Sequence, residues 1–84
     1  MNPRKLLLRI NQNQANVRFS DLIRLARALG FEHHRTKGSH QMFVHPGINR
    51  YLNLQSVGGE AKPYQVAQLL RLVEEYNLKL GEND

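Results

Sequence analysis

The chain has no cysteine, which excludes disulfide staples and thiolate zinc sites and leaves the redox compartment open. Acidic side chains are scarce over most of its length. Residues 1–71 carry eleven Lys and Arg but only Asp21, Glu32 and Glu60 as carboxylates, a net +8. Long apolar runs are missing too: Leu6-Leu7-Leu8 is too short for a signal h-region or a membrane span. No membrane partner is expected, and the cytoplasm is the default location. Internal repeats and low-complexity stretches are also absent.

What is present is enough for one domain. A chain of 84 residues buries only about 60–65% of its unfolded surface, so it builds a single core. Hydrophobic residues make up 40%, ordinary for a folded protein, so disorder is not expected. The charge is unevenly placed. Residues 72–84 set Lys79 against Glu74, Glu75, Glu82 and Asp84, a net −3. A basic body with an acidic end points to a polyanionic partner, most simply nucleic acid.

Asn2-Pro3 reads as a helix start, with Asn as N-cap and Pro at the first helical position. Leu6, Leu7 and Ile10 fall on one side of the short helix that follows, and Asn11 to Asn16 reads as a polar linker. Residues 1–17 are thus expected to be an N-terminal helical extension and linker. Ser20 is expected to cap a second helix, with Asp21 in its first turn. Leu22, Leu25, Ala26 and Leu29 form its apolar stripe. Gly30 suits the C′ position, with Phe31 folding back on the last turn. Residues 39–45 then alternate, with His40, Met42 and Val44 on one side and Gln41, Phe43 and His45 on the other. Pro46 to Asn49 is a turn, and Leu52 and Leu54 share a face beyond it. Together with Phe31 to Thr36, these make three short strands in an antiparallel meander. Gln55 to Lys62 reads as a loop containing Gly58-Gly59. Pro63 opens a long helix in which Val66, Leu69, Leu70 and Val73 repeat the helical spacing, with Asn77 as its end.

The segment Lys37-Gly38-Ser39-His40 carries the chemistry. A Gly-Ser turn delivers His40 to the start of an apolar strand, with Lys37 and Arg35 just before it. Histidine has an unperturbed pKa of about 6.5 and serves as base or acid near neutral pH. The adjacent cations suit an anionic substrate, so His40 is the candidate catalytic base of a phosphodiester-cleaving site. Gly38 allows a positive φ or a close backbone approach to a ligand. Ser39 either bonds a phosphate or caps the turn. Arg35 and Lys37 are the nearest phosphate contacts. Lys62, at a helix N-terminus, is a further one. Phe43 reads as core, with base stacking as the alternative, and Tyr51 and Tyr64 share that ambiguity. His33, His34, His40 and His45 alternate across strand faces, and Glu32 is the only carboxylate nearby, so no metal site and no cofactor are expected. His34 and His45 stay open as proton donors.

On these residues the chain resembles the HicA toxins. The resemblance rests on the α-β-β-β-α order, the Gly38-Ser39-His40 turn entering the second strand, Phe43, and the segment Gly58 to Tyr64. It covers roughly residues 19–78. It implies an α+β fold like that of double-stranded-RNA-binding domains, with a three-stranded antiparallel sheet and two helices on one face. The helix at residues 3–12 is then an addition. The domain division becomes 1–17 extension, 18–78 HicA-like domain and 79–84 acidic tail. The resemblance further implies an mRNA-cleaving endoribonuclease with its catalytic histidine at His40, held inactive by a HicB-like antitoxin. Many relatives carry a second histidine where this chain has Gln41. The alternatives are a non-catalytic RNA-binding module of the same fold, a helical DNA-binding protein with residues 20–29 or 63–78 in the major groove, and a protein whose apolar stripes serve an oligomer interface.

Overall fold

Asn2 opens the first helix from its side chain. Its Oδ1 accepts the Lys5 N–H at 2.9 Å, and Pro3 sits where a missing N–H costs nothing. The structure, a computed structural model, describes residues 2–81. Of the acidic end, Glu74 and Glu75 lie within the described residues and Glu82 and Asp84 outside them. Helix α1 spans Pro3–Gln12 and buries Leu6 and Ile10. A two-residue strand β1, Val17–Arg18, leads straight into helix α2, Phe19–Ala28.

Helix α2 starts before the expected Ser20 cap. Arg18 takes the N-cap position with no side-chain hydrogen bond. The reason is tertiary: the Phe19 N–H donates to the Gly59 carbonyl at 2.9 Å, so a neighbouring hairpin satisfies a donor that a cap would otherwise meet. The other end follows the sequence. The Phe31 N–H returns to the Ala26 carbonyl and the Gly30 N–H to that of Arg27, both at 3.0 Å. Gly30 carries φ +101. This is a Schellman ending, and Phe31 after it is buried.

Strands β2 (Glu32–Lys37), β3 (His40–Val44) and β4 (Tyr51–Val57) form the expected meander. The sheet is wider than three strands, however. Gly58-Gly59 turns the chain back into β5, Glu60–Ala61, where a loop was expected. Strand β5 pairs with both β4 and β1, which gives the order β1-β5-β4-β3-β2, antiparallel throughout. It stops after two residues because Lys62-Pro63 opens helix α3, Pro63–Tyr76, and proline has no N–H for the ladder. Asn77 ends α3 in the left-handed conformation, φ 52.

All three helices described here feed one core. Leu6 and Ile10 of α1, Leu22, Leu25 and Ala26 of α2, and Val66, Leu69 and Leu72 of α3 cluster with Phe43, Leu52 and Leu54 of the sheet. Those strand residues alternate with His40, Met42, Tyr51 and Asn53, so the opposite sheet face is free of helices. The candidate site lies on that open face. Among the described residues no helix is long and apolar enough to cross a membrane.

Candidate functional site

Lys37 and His40 stand directly opposite each other across the β2–β3 hairpin, joined by the two-residue turn Gly38-Ser39. Gly38 carries φ +61, the pattern of a type II′ turn with glycine at its first central position. A Cβ on Gly38 would meet nothing within 4 Å. The glycine is therefore set by backbone conformation rather than crowding, and its main chain faces open space. Ser39 Oγ accepts a hydrogen bond from Gln55 Nε2 at 3.1 Å. Ser39 thus anchors the turn to β4.

A bulge in β2 decides which cations reach His40. Strict alternation would hold His33, Arg35 and Lys37 on one face. The register shifts at His34, between His33 and Arg35. As a result His33 pairs with Phe43 on the core side, its ring edge-on at 5.4 Å, while Arg35 pairs with Met42 and Lys37 with His40 on the open side. Together with Asn53 of β4, these residues line an open hollow of about 570 Å³ whose walls are Arg35, Lys37, Gly38, His40, Met42 and Asn53. The structure brings Arg35, Lys37, Gly38 and His40 together. Ser39 and Lys62 do not line the hollow. Lys62 occupies the N-cap of α3, with Nζ 5.9 Å from the centre of the Tyr64 ring.

The four histidines differ in how their rings are used. His45 is held at both nitrogens: Nδ1 accepts the Gly47 N–H at 2.9 Å, so Nε2 carries the proton and donates to the Leu29 carbonyl at 3.0 Å. That ring ties the end of α2 to the turn after β3 and takes no part in the hollow. His33 Nε2 shares a hydrogen bond with Thr36 Oγ1 at 2.7 Å. Among the described residues no partner holds the His40 ring, and His40 is exposed at the mouth of the hollow. Both its nitrogens are available to a ligand. Phe43 is fully buried, with the Arg27 guanidinium 5.7 Å from its ring centre, and is core. Tyr51 and Tyr64 are each 61% exposed. No three His, Cys, Asp or Glu side chains converge as metal ligands among the described residues.

Met42 and Asn53 were not legible as parts of the site. Alternation places Met42 on the His40 face, but Asn53 joins the hollow only through the β3–β4 register, in which it faces Met42. Gln55 was missed for the same reason, since it lies directly opposite His40.

No protein of curated function and no solved structure matches the chain. The family model described as the HicA toxin of bacterial toxin–antitoxin systems matches residues 19–74. That span begins at the first residue of α2 and ends within α3, so it contains the whole hollow and leaves α1 and β1 outside. It takes in the greater part of the 84 residues, and the chain belongs to the HicA family of bacterial toxin–antitoxin toxins.

Proposed function

We propose that this toxin is an endoribonuclease that cleaves mRNA with His40 as general base and without a metal ion. Membership of the family brings with it a HicB antitoxin as partner and ribonuclease-type toxicity. One observation carries the finer reading: an exposed histidine with an uncommitted ring shares a hollow with two cations, Arg35 and Lys37.

RNA supplies its own nucleophile, the 2′-OH. His40 takes that proton as the oxygen attacks the adjacent phosphorus. Negative charge gathers on the phosphorane oxygens, where Arg35 and Lys37 stabilise it. The open backbone at Gly38 lets the phosphate approach the turn. The 5′-oxygen leaves with a proton from water, so the products are a 2′,3′-cyclic phosphate and a 5′-hydroxyl. A single-stranded or flexible substrate follows, because the 2′-OH must align with its own phosphorus. Ser39 holds the turn, and Lys62, outside the hollow, meets a phosphate further along the strand. The antitoxin covers this basic face with an acidic surface.

The test is His40→Ala with a labelled single-stranded RNA in the presence of a chelator. Cleavage by the wild type is expected to persist in the chelator, and the variant to lose roughly 10²–10⁴-fold in rate while keeping its RNA affinity. A 2′-deoxy sugar at the cleaved position should block the reaction. A variant that cleaves and arrests growth as well as the wild type overturns the role of His40. A wild type that binds RNA but never cleaves it establishes the non-catalytic binding module instead.

A further inference from the structure

We propose that Tyr51 is a base-stacking platform, seating a nucleotide that flanks the scissile phosphate. The proposal rests on the RNA-cleaving reading of the His40 hollow and extends it along the open sheet face.

Tyr51 is an aromatic ring left on a sheet surface. It is 61% exposed, whereas Phe31 and Phe43 are 2% and 0% exposed in the core. The strand register fixes its place relative to the hollow. His40 faces Gln55, Met42 faces Asn53 and Val44 faces Tyr51. Directly opposed residues share a face, so these pairs form three successive rows on the open side. Four residues of β4 separate Gln55 from Tyr51, roughly 13 Å of strand. That is too far for the phosphate attacked at His40, and it matches the nucleotides beside it on an extended strand.

Tyr51 stands at the start of β4, where a separate depression of about 260 Å³ opens towards α3 between Asn49, Arg50, Tyr51, Gln68 and Leu72. Asn53, a wall of the His40 hollow, and Tyr51 stand two residues apart on the same face of β4. The cations of the open face are Arg35 and Lys37, at the His40 end, whereas Arg50 turns towards α3, where it also donates to the Tyr76 hydroxyl at 3.2 Å. Arg50 is shared with Glu75 at 3.3 Å, each side chain about half exposed, and Glu32 lies at the outer edge of the Tyr51 row. On the open face Arg35 and Lys37 outweigh Glu32, a positive balance that fits a phosphate chain. An exposed aromatic beside phosphate contacts is the arrangement by which single strands are bound without base pairing, through ring stacking on each base. Asn53, in the row between His40 and Tyr51, offers donor and acceptor atoms to a base edge.

The chain contains no tryptophan, so Tyr51→Trp places a single indole on the open face. The probe is a short single-stranded oligoribonucleotide with 2′-O-methyl sugars, which binds but cannot be cleaved, and a matched oligonucleotide with abasic positions. Binding of the first is expected to quench the indole emission, and the abasic version to quench it far less. In cleavage assays Tyr51→Ala should raise KM by roughly 5- to 150-fold, the range for one lost base–aromatic stack, with kcat unchanged. Tyr51→Phe should restore the wild-type KM, since the ring and not the hydroxyl stacks. An unchanged KM for Tyr51→Ala overturns the proposal. So does loss of HicB binding with RNA cleavage intact, which would assign the ring to the protein interface. If the wild type proves not to cleave RNA, the quenching titration still decides the role of Tyr51 separately.

Discussion

The side-chain amide of Gln65 takes the place of a missing strand beside Gln55. Turned so that each atom meets its complement, Nε2 donates to the Gln55 carbonyl at 3.1 Å and Oε1 accepts the Gln55 N–H at 3.0 Å. Strand β5 ends at Ala61, opposite Ser56, so the next peptide of β4 has no strand partner, and a buried glutamine from the first turn of α3 supplies one. Gln55 in turn lies opposite His40 and bonds Ser39. Helix α3 is thereby joined to the Gly38-Ser39 turn through two glutamines. Gln65→Leu should cost about 1–3 kcal/mol, because it strands a backbone donor and acceptor. Gln65→Glu should cost more, since a carboxylate oxygen would face the Gln55 carbonyl and a charge would be buried. Urea midpoints measure both, and a Leu variant as stable as the wild type would show that the amide contributes nothing.

Gly30 and His45 predict a coupled pair. A Cβ at position 30 would stand 2.6 Å from His45 Nε2, on a residue with φ +101. Gly30→Ala is therefore expected to lose about 1–3 kcal/mol to backbone strain and to displace the imidazole from the Leu29 carbonyl. Adding His45→Ala removes the clash but not the strain. The double variant should be more stable than the sum of the two single losses allows, and thermal or urea unfolding of the four proteins reads that difference. Strict additivity would mean that the ring moves aside at no cost.

Much of this architecture could be read from residue spacing. The stripe of Leu22, Leu25, Ala26 and Leu29 placed α2, and Gly30 ended it, because helix periodicity and capping are local physics. The Gly38-Ser39 turn and the faces of β3 followed from alternation in the same way. Val17–Arg18 and Glu60–Ala61 were not visible as strands, since two residues carry no period and their pairing is wholly tertiary. The bulge at His34 was equally hidden. Glu32 to Lys37 has no apolar alternation to break, and the shift shows only when β2 is laid against β3. The burial of Gln65 depends on where β5 stops, which the helical spacing does not carry. For the site this meant that His40 and its flanking cations were legible, whereas Asn53, Gln55 and the extension to Tyr51 required the register of β4.

The family match begins at residue 19, yet α1 lies in the same core as the matched segment. Leu6 is 1% exposed and Ile10 fully buried. Leu6→Ala and Ile10→Ala should each destabilise the protein by about 2–5 kcal/mol. Leu8→Ala is the control: at 65% exposed it should change stability by less than about 0.5 kcal/mol. If Leu6→Ala unfolds at the same urea concentration as Leu8→Ala, α1 is an appendage and not part of the folding unit.

Electrostatics separates the three proposed phosphate contacts. Each cation that neutralises a phosphate on a single strand contributes roughly 0.7 to the slope of log K against log salt. Arg35→Ala and Lys37→Ala should each lower that slope by about this amount. They should also reduce kcat, because both side chains wall the hollow in which the phosphorane is proposed to form. Lys62→Ala should lower the slope as well but leave kcat intact, since Lys62 stands outside the hollow at the start of α3. The pattern needs both measurements: fluorescence-monitored affinity for the uncleavable oligonucleotide across a salt series, and single-turnover cleavage at saturation. An Arg35→Ala protein with reduced affinity but full kcat would move Arg35 from the reacting phosphate to the flanking strand. A Lys62→Ala protein with an unchanged slope would remove Lys62 from the RNA path and confine that path to the open face of the sheet.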